Sequence, residues 1–447
     1  MFRSYRMNEN FKSLKGARLL IFALTIVVAV LGVALALQAM SRASIPTATT
    51  MTEGDVNALE GSTDSCVTCH QRTTPGIVEQ YGHSTMAAAK VACQDCHEVQ
   101  KGYPGAKEHD GTYILQQPTT AMCQSCHQAE VAQFQASRHA LPSYVAYAGS
   151  KDLSAELLAQ YQAIPEGQFA PDKSRNIIYH LEGEAITQFA CETCHDVGKP
   201  ALDNSVGQCS SCHLRHEFSL EQVRKPETCN ACHIGPDHPQ WEIYEESPHG
   251  IAYHTGGEDW NWSAEPGTLT VNDFPAPTCQ TCHFSGFGAS GTTHDVGERL
   301  TWYLFAPISE RRPAYQDNAV RMQNVCKNCH NPEFISTFYG DADKVVEQVN
   351  LWVTESNTFM KSAKENGLVD DEPFNEEFEY EHYELWHHWG RTAKFGAWMG
   401  GPDYTQWHGA YEVVKSRATL IEMLNEGLVG LGLPGFEYTK PPLISDK

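Results

Sequence analysis

The stretch Cys229-Asn230-Ala231-Cys232-His233 is followed at once by Ile234-Gly235-Pro236-Asp237-His238. Its first five residues form a C-x-x-C-H unit, the attachment signature of a c-type haem. Two thiols can add across the two vinyl groups of one haem, and the imidazole of the next residue can bind the iron. The following five residues bring a carboxylate and a second imidazole close by, on a Gly-Pro turn. A carboxylate and an imidazole beside a redox metal are equipment for taking up protons as electrons leave.

The same unit recurs until it has used all 16 cysteines. The leading cysteines are Cys66, Cys93, Cys123, Cys191, Cys209, Cys229, Cys279 and Cys326, each followed three positions on by Cys69, Cys96, Cys126, Cys194, Cys212, Cys232, Cys282 and Cys329. The histidines that close the units are His70, His97, His127, His195, His213, His233, His283 and His330. No cysteine is left for a disulfide. Zinc also uses C-x-x-C pairs, but it does not demand a histidine directly after every pair. The expected cofactors are therefore eight c-type haems.

Distal ligands come from the remaining histidines. His70 is echoed by His83, His97 by His109 and His127 by His139. With these, His216, His249, His294 and His408 complete the candidate set for the far sides of the irons, although spacing does not say which histidine serves which motif. Two imidazoles give an iron suited to electron transfer, and axial ligand and pocket set its reactivity. The fourth motif breaks the echo: the next histidine outside a motif, His216, comes only after the fifth. A haem there without a protein ligand on its far side would be open to substrate.

These motifs need elements to hold them. Residues 1–18 carry Arg3, Arg6, Lys12, Lys15 and Arg18 against Glu9, and residues 19–37 are an uncharged, mostly apolar run. That pattern directs export, and the run is long enough to span a bilayer. We divide the chain into an N-terminal signal or membrane-anchor segment (1–40), a linker (41–65), a haem-binding domain (66–340), a C-terminal helical domain (341–430) and a tail (431–447). The expected location is periplasmic, with an anchor in the inner membrane slightly favoured over a cleaved signal. The fold class is mainly α: short helices and loops packed around the haems, then a helical region without cysteine. Helices are expected over residues 344–364, 376–399 and 405–425. Tyr404, Trp407, Tyr411 and Val414 share one helix face, with Trp407 and Val414 expected to pack against neighbouring helices. His408 lies one turn from Tyr404. A formal net charge of -23 disfavours nucleic acid; a soluble surface far above its pI accounts for it, and an acidic face that steers a basic electron carrier is the sharper alternative.

The chain resembles the octahaem hydroxylamine oxidoreductase family, which includes hydrazine dehydrogenase-like cytochromes. The resemblance rests on the eight motifs, on Gly235-Pro236-Asp237-His238-Pro239-Gln240 after the sixth, and on Asp403-Tyr404-Thr405-Gln406-Trp407-His408-Gly409. It implies a homotrimer whose fourth-motif haem, on Cys191, Cys194 and His195, is five-coordinate and cross-linked to a tyrosine of a neighbouring subunit. Tyr404 would be that tyrosine, with Tyr411 a second choice. Asp237 and His238 would be the distal proton acceptors, and Tyr303 a further distal tyrosine. The implied activity is oxidation of hydroxylamine to nitric oxide or nitrite. The other seven haems would pass electrons to a cytochrome or a quinone-linked membrane protein. Reduction of nitrite or hydroxylamine to ammonium, hydrazine oxidation and a non-catalytic electron conduit are the alternatives.

Overall fold

The computed structural model describes residues 57–165, 169–439 and 441–444. The apolar run at residues 19–37, its anchor role and most of the linker lie outside the described residues. Among those residues, no helix is long and apolar enough to cross a membrane.

Short helices carry the motifs, because attachment asks for one turn of helix. Residues at i, i+3 and i+4 share a helix face, so both thiols and the imidazole of each unit can meet one planar ligand. The first motif sits in α1 (Ser65–Thr73), capped by Asp64, whose carboxylate accepts from the backbone N–H groups of Cys66 at 2.8 Å and Val67 at 3.1 Å. A hairpin follows, β1 (Lys107–His109) against β2 (Thr112–Ile114), with His109 opposite Thr112. Its turn residues Asp110 and Gly111 both have positive φ, +48° and +85°, the tight-hairpin signature. That turn sets His109 at the strand end.

Next, α2 (Leu141–Ala148) packs against α3 (Cys191–His195), the fourth motif. The turn after α3 approaches α2 so closely that a Cβ on Gly198 would collide with the Ala140 carbonyl. The Asp237-His238 turn then leads into α4 (Gln240–Glu246).

The C-terminal layer begins with α5 (Pro332–Glu365), started by Asn331, which accepts from the Phe334 N–H at 2.9 Å, and by Pro332 at its first position. Its buried Val346, Val349, Val353 and Phe359 recur at helical spacing. Val349, Val353 and Phe359 meet Leu385, Ala393, Val413, Leu420 and Leu424 in an apolar core. The buried Arg417–Glu355 ion pair closes one side of it. The second expected helix is α6 (Glu377–Glu384), a π turn (Leu385–Gly390) and α7 (Arg391–Met399). The third is a short turn (Pro402–Thr405), a second π turn (Gln406–Ala410) and α8 (Tyr411–Gly430). Since α5 starts at Pro332 and crosses residue 340, there is no break there. From Ala58 onward the haem-bearing region and the helices form one unit.

Candidate functional site

The motif histidines are placed as haem ligands need. A ligating imidazole usually donates one ring N–H to an acceptor, which leaves the other nitrogen for the metal. The Nδ1 of His97 meets the Leu115 carbonyl at 2.7 Å, that of His195 the Ser143 carbonyl at 2.7 Å, and that of His233 Gln240 Oε1 at 3.2 Å. Five of the motif imidazoles face a second imidazole. Ring centroids are 6.1 Å apart for His70–His109, 6.4 Å for His97–His216, 6.0 Å for His233–His139, 6.4 Å for His213–His294 and 6.1 Å for His330–His249. Two metal–imidazole bonds of roughly 2.0 Å each, with about 1.1 Å from nitrogen to each ring centre, require about 6.2 Å. Burial pushes His139 down to about 3, and His213 and His283 down to about 4. They are thus neutral at ordinary pH, the ligating form. The residues present fit c-type haems.

The units also follow one another in space. Thiols close enough to feel each other's charge are Cys66 and Cys93, Cys96 and Cys126, Cys123 and Cys209, and Cys212 and Cys229. Beyond these, Cys232 neighbours Cys194, Cys279 neighbours Cys229, and Cys282 neighbours Cys326. The order is first, second, third, fifth, sixth. From the sixth, one arm runs to the seventh and eighth, and the other ends at the fourth. One cavity of about 2530 Å³ is lined by residues of the third to eighth motifs.

The fourth motif opens into a polar corner of that cavity. His195 feels His238 and Asp237, and burial is the main cause that lowers its pKa. Asp237 stands 3.6 Å from His238 Nε2, 3.4 Å from Arg391 Nη1 and 4.0 Å from His387 Nε2. Its turn is pinned from both sides: the Gly235 N–H donates to Glu242 at 3.1 Å, and the Thr392 hydroxyl to the Pro236 carbonyl at 3.1 Å. Arg391 also donates to the Phe305 carbonyl at 2.9 Å and meets His387 Nε2 at 3.0 Å. Phe305 leans on His238 and on Arg391. Burial drives Tyr383 up to about 12 and, with Arg391 beside it, His387 down to about 2.

Residues 89–376 match the family described as "Seven times multi-haem cytochrome CxxCH", and the chain belongs to it. The protein is a multihaem c-type cytochrome. A probable nitrite reductase-hydroxylamine oxidoreductase fusion protein of Kuenenia stuttgartiensis is 32% identical over 360 residues, covering 69% of this chain. The cytochrome spans 39% of that relative's length. Among solved structures, a hypothetical multiheme protein superposes with a TM-score of 0.70 at 21% identity, over 82% of this chain and 96% of that one. A reducing HAO-like protein complex from Kuenenia stuttgartiensis superposes at 0.62 with 18% identity, over 86% and 89%. These two likenesses carry the fold. Cytochromes of this kind are redox proteins that typically work outside the cytoplasm.

The cytochrome brings Asp237 and His238 together beside His195. It does not pair its histidines by the sequence echo, since His109 faces His70 and His139 faces His233. His238 lies 6.1 Å from His233 as well. His139 and His238 thus stand at nearly equal range from His233, and His238 also has Asp237 at 3.6 Å from its Nε2. His83 and His408 are not in the facing pairs of the described residues. His83 Nε2 meets Glu79 at 3.1 Å, and His408 Nδ1 meets Asp403 at 2.8 Å. His408 also stacks on Tyr404 at 5.0 Å, on the outside of the protein. Tyr303 lines the cavity with Arg138 4.5 Å from its ring centre. The expected packing of Trp407 and Val414 is not found: they are 61% and 44% exposed, and Tyr411 is 47% exposed. Sequence reasoning missed Arg391, His387 and Tyr383 as members of the site. The signal was there in His387-His388 within an aromatic stretch, since a π turn often marks a functional position.

Proposed function

We propose that this cytochrome binds eight haems and oxidises hydroxylamine, to nitric oxide or nitrite, at the haem held by Cys191, Cys194 and His195. The observation that carries the reading is the cluster of Asp237, His238, His387 and Arg391 on the side of His195, where five of the other seven motif histidines face a second imidazole instead. When bound, the haem supplies the iron that holds the substrate nitrogen and takes its electrons. The chain's own groups manage the protons. Asp237 and His238 accept them, and the carboxylate stabilises the charge this places on the imidazole. Arg391 holds that carboxylate in place and Phe305 packs against the His238 ring. The remaining units, linked through the sixth, are ordered as a relay to a cytochrome or quinone-linked acceptor in the periplasm.

Tyr404 lies outside the cavity of its own chain. A cross-link to the fourth haem therefore requires a second copy. The exposed Trp407, Tyr411 and Val414 beside it offer an apolar face for that contact, and a homotrimer would cover it. The test is substrate-driven reduction. Hydroxylamine added to the oxidised protein should reduce its haems, and the reduced protein should show an absorption band separate from the ordinary c-type bands that vanishes in Tyr404→Phe. Haems that stay oxidised with hydroxylamine would sink the reading. One observation favours a second reading, reduction of nitrite: the Arg391 guanidinium is a cation facing the site. Nitrite consumption with a chemical reductant, and no separate band, would select it.

A further inference from the structure

A buried cation is bonded to the backbone of the seventh motif. The helical turn Cys279–His283 ends in carbonyls that so short a helix cannot satisfy itself. Arg299 Nη1 donates to those of Thr281 at 3.2 Å and Cys282 at 2.8 Å, and its Nη2 to those of Ser285 at 2.9 Å and Gly291 at 2.6 Å. The side chain is 4% exposed. All four bonds go to neutral carbonyls. Glu298, the carboxylate whose charge it feels, pairs instead with Arg321 at 3.3 Å and takes the Thr293 hydroxyl. The fourth motif differs, since Lys199 beside it lies 2.8 Å from Asp196. The Arg299 charge reaches the Cys282 thiol and, after burial, is the largest influence that lowers His283.

The position matters because the relay forks at the sixth unit. Besides the fourth, the sixth neighbours the seventh through Cys229 and Cys279, and the fifth through Cys212 and Cys229. On the fifth, His213 feels the imidazoles of His294 and His127, which are neutral as ligands. A charge buried without a counter-ion is costly. Reduction lowers the charge of a haem by one, and beside Arg299 that lowers the cost.

We propose that Arg299 makes the seventh haem the favoured electron acceptor at this fork, so that electrons reaching the sixth pass to the seventh in preference to the fifth. In the step the sixth haem gives up one electron and the seventh takes it; no bond and no proton moves. A cation roughly 10 Å from an iron, at an effective dielectric of about 20, favours the electron by about tenfold. Arg299 touches neither substrate nor iron and acts through the potential. The proposal rests on the haem count proposed above and not on the identity of the substrate.

The test is an equilibrium redox titration of the holoprotein without substrate, followed by electron paramagnetic resonance. Each haem is assigned by the signal lost when the two cysteines of its motif become serine. In the wild type the seventh haem should titrate above the fifth and the sixth. Arg299→Gln keeps amide donors for the carbonyls and removes the charge; the seventh potential should fall by about 59 mV, which is tenfold for one electron. Arg299→Lys keeps the charge and should hold that potential. A seventh haem that titrates below the fifth, or that falls equally in the Gln and Lys variants, overturns the proposal and leaves the hydroxylamine reading standing. A seventh motif without haem overturns it as well. A protein inert to hydroxylamine whose seventh haem titrates as expected sinks that reading and supports this one. Should the Gln variant fail to fold, the wild-type order and the Lys variant decide.

Discussion

Replacing Asp237 by asparagine keeps its shape and removes its charge. The amide oxygen can still accept from Arg391, now 3.4 Å away, and the turn stays pinned by Glu242 and Thr392. Structure should survive, and proton acceptance should not. The carboxylate lies 3.6 Å from His238 Nε2, with the two side chains 28% and 23% exposed. At that distance, an effective dielectric of roughly 20 to 80 gives about 1 to 5 kcal/mol for a charge on the imidazole. Every 1.36 kcal/mol is about a tenfold change in rate, so proton removal should slow by roughly ten- to a thousandfold. That overlaps the range of about 10² to 10⁴ for a positioned acid or base. The assay is a single turnover: mix oxidised protein with hydroxylamine and follow haem reduction by stopped flow. Circular dichroism and haem content of the variant should match the wild type. Hydroxylamine should bind about as well as before, because the loss belongs to the step and not to the complex. A correctly loaded Asp237→Asn protein that turns over within threefold of the wild type would refute the reasoning.

Three further outcomes are expected. Lys394 is fully buried, donates to the Ala306 carbonyl at 3.1 Å and the Ser309 hydroxyl at 2.8 Å, and burial drives it down to about 7. A lysine lowered from 10.5 to about 7 binds fewer protons folded than unfolded between those values. Stability should therefore rise with pH across that window and be lowest, from this group, below about pH 7; melting temperature against pH should lose that rise in Lys394→Met. Trp407→Glu should shift the mass in solution toward the monomer and abolish any cross-linked band, without loss of the other haems; an unchanged mass would contradict the shared-site reading. Gln240→Leu should raise the reduction potential of the sixth haem, because an imidazole that loses its Nδ1 acceptor is a weaker donor to iron, and a redox titration in which every haem keeps its potential would count against it.

Much of this fold is legible because one short pattern carries both chemistry and geometry. A C-x-x-C-H unit is an attachment site and also one turn of helix, so Cys191-Glu192-Thr193-Cys194-His195 announces α3 as plainly as its cofactor. The Asp110-Gly111 pair announces the hairpin that carries His109. Distal ligation is different, because it is decided by how loops cross. His216 reaches His97, and His249 reaches His330, from parts of the chain that no local period relates. The surface face of the C-terminal helices misled for a related reason. Apolar residues at Trp407 and Val414 read as core by spacing, yet spacing cannot tell whether the cover is another helix of the same chain. Arg391 and His387 were hidden in an aromatic stretch whose π turn sets the two side chains against Asp237.

That last point changes what the cysteine-free region is for. It has its own apolar core around Val349, Leu385 and Leu420, and from sequence it reads as a separate helical domain. Yet α7 reaches the site along its whole first half. Arg391 fixes Asp237, His387 and the Phe305 carbonyl; Thr392 holds the Pro236 carbonyl; Lys394 holds the Ala306 carbonyl. Apart from the contact with His387, each of these bonds ties α7 either to the turn after the sixth motif or to the 305–309 loop. A stiff helix backed by a packed core is a better support for such groups than the irregular loops between motifs, whose positions depend on the haems themselves. The haem region thus supplies the redox groups, and the C-terminal helices fix the polar residues that could act on substrate. A truncation before α7 should therefore leave haem attachment largely intact while removing the chemistry of the fourth haem.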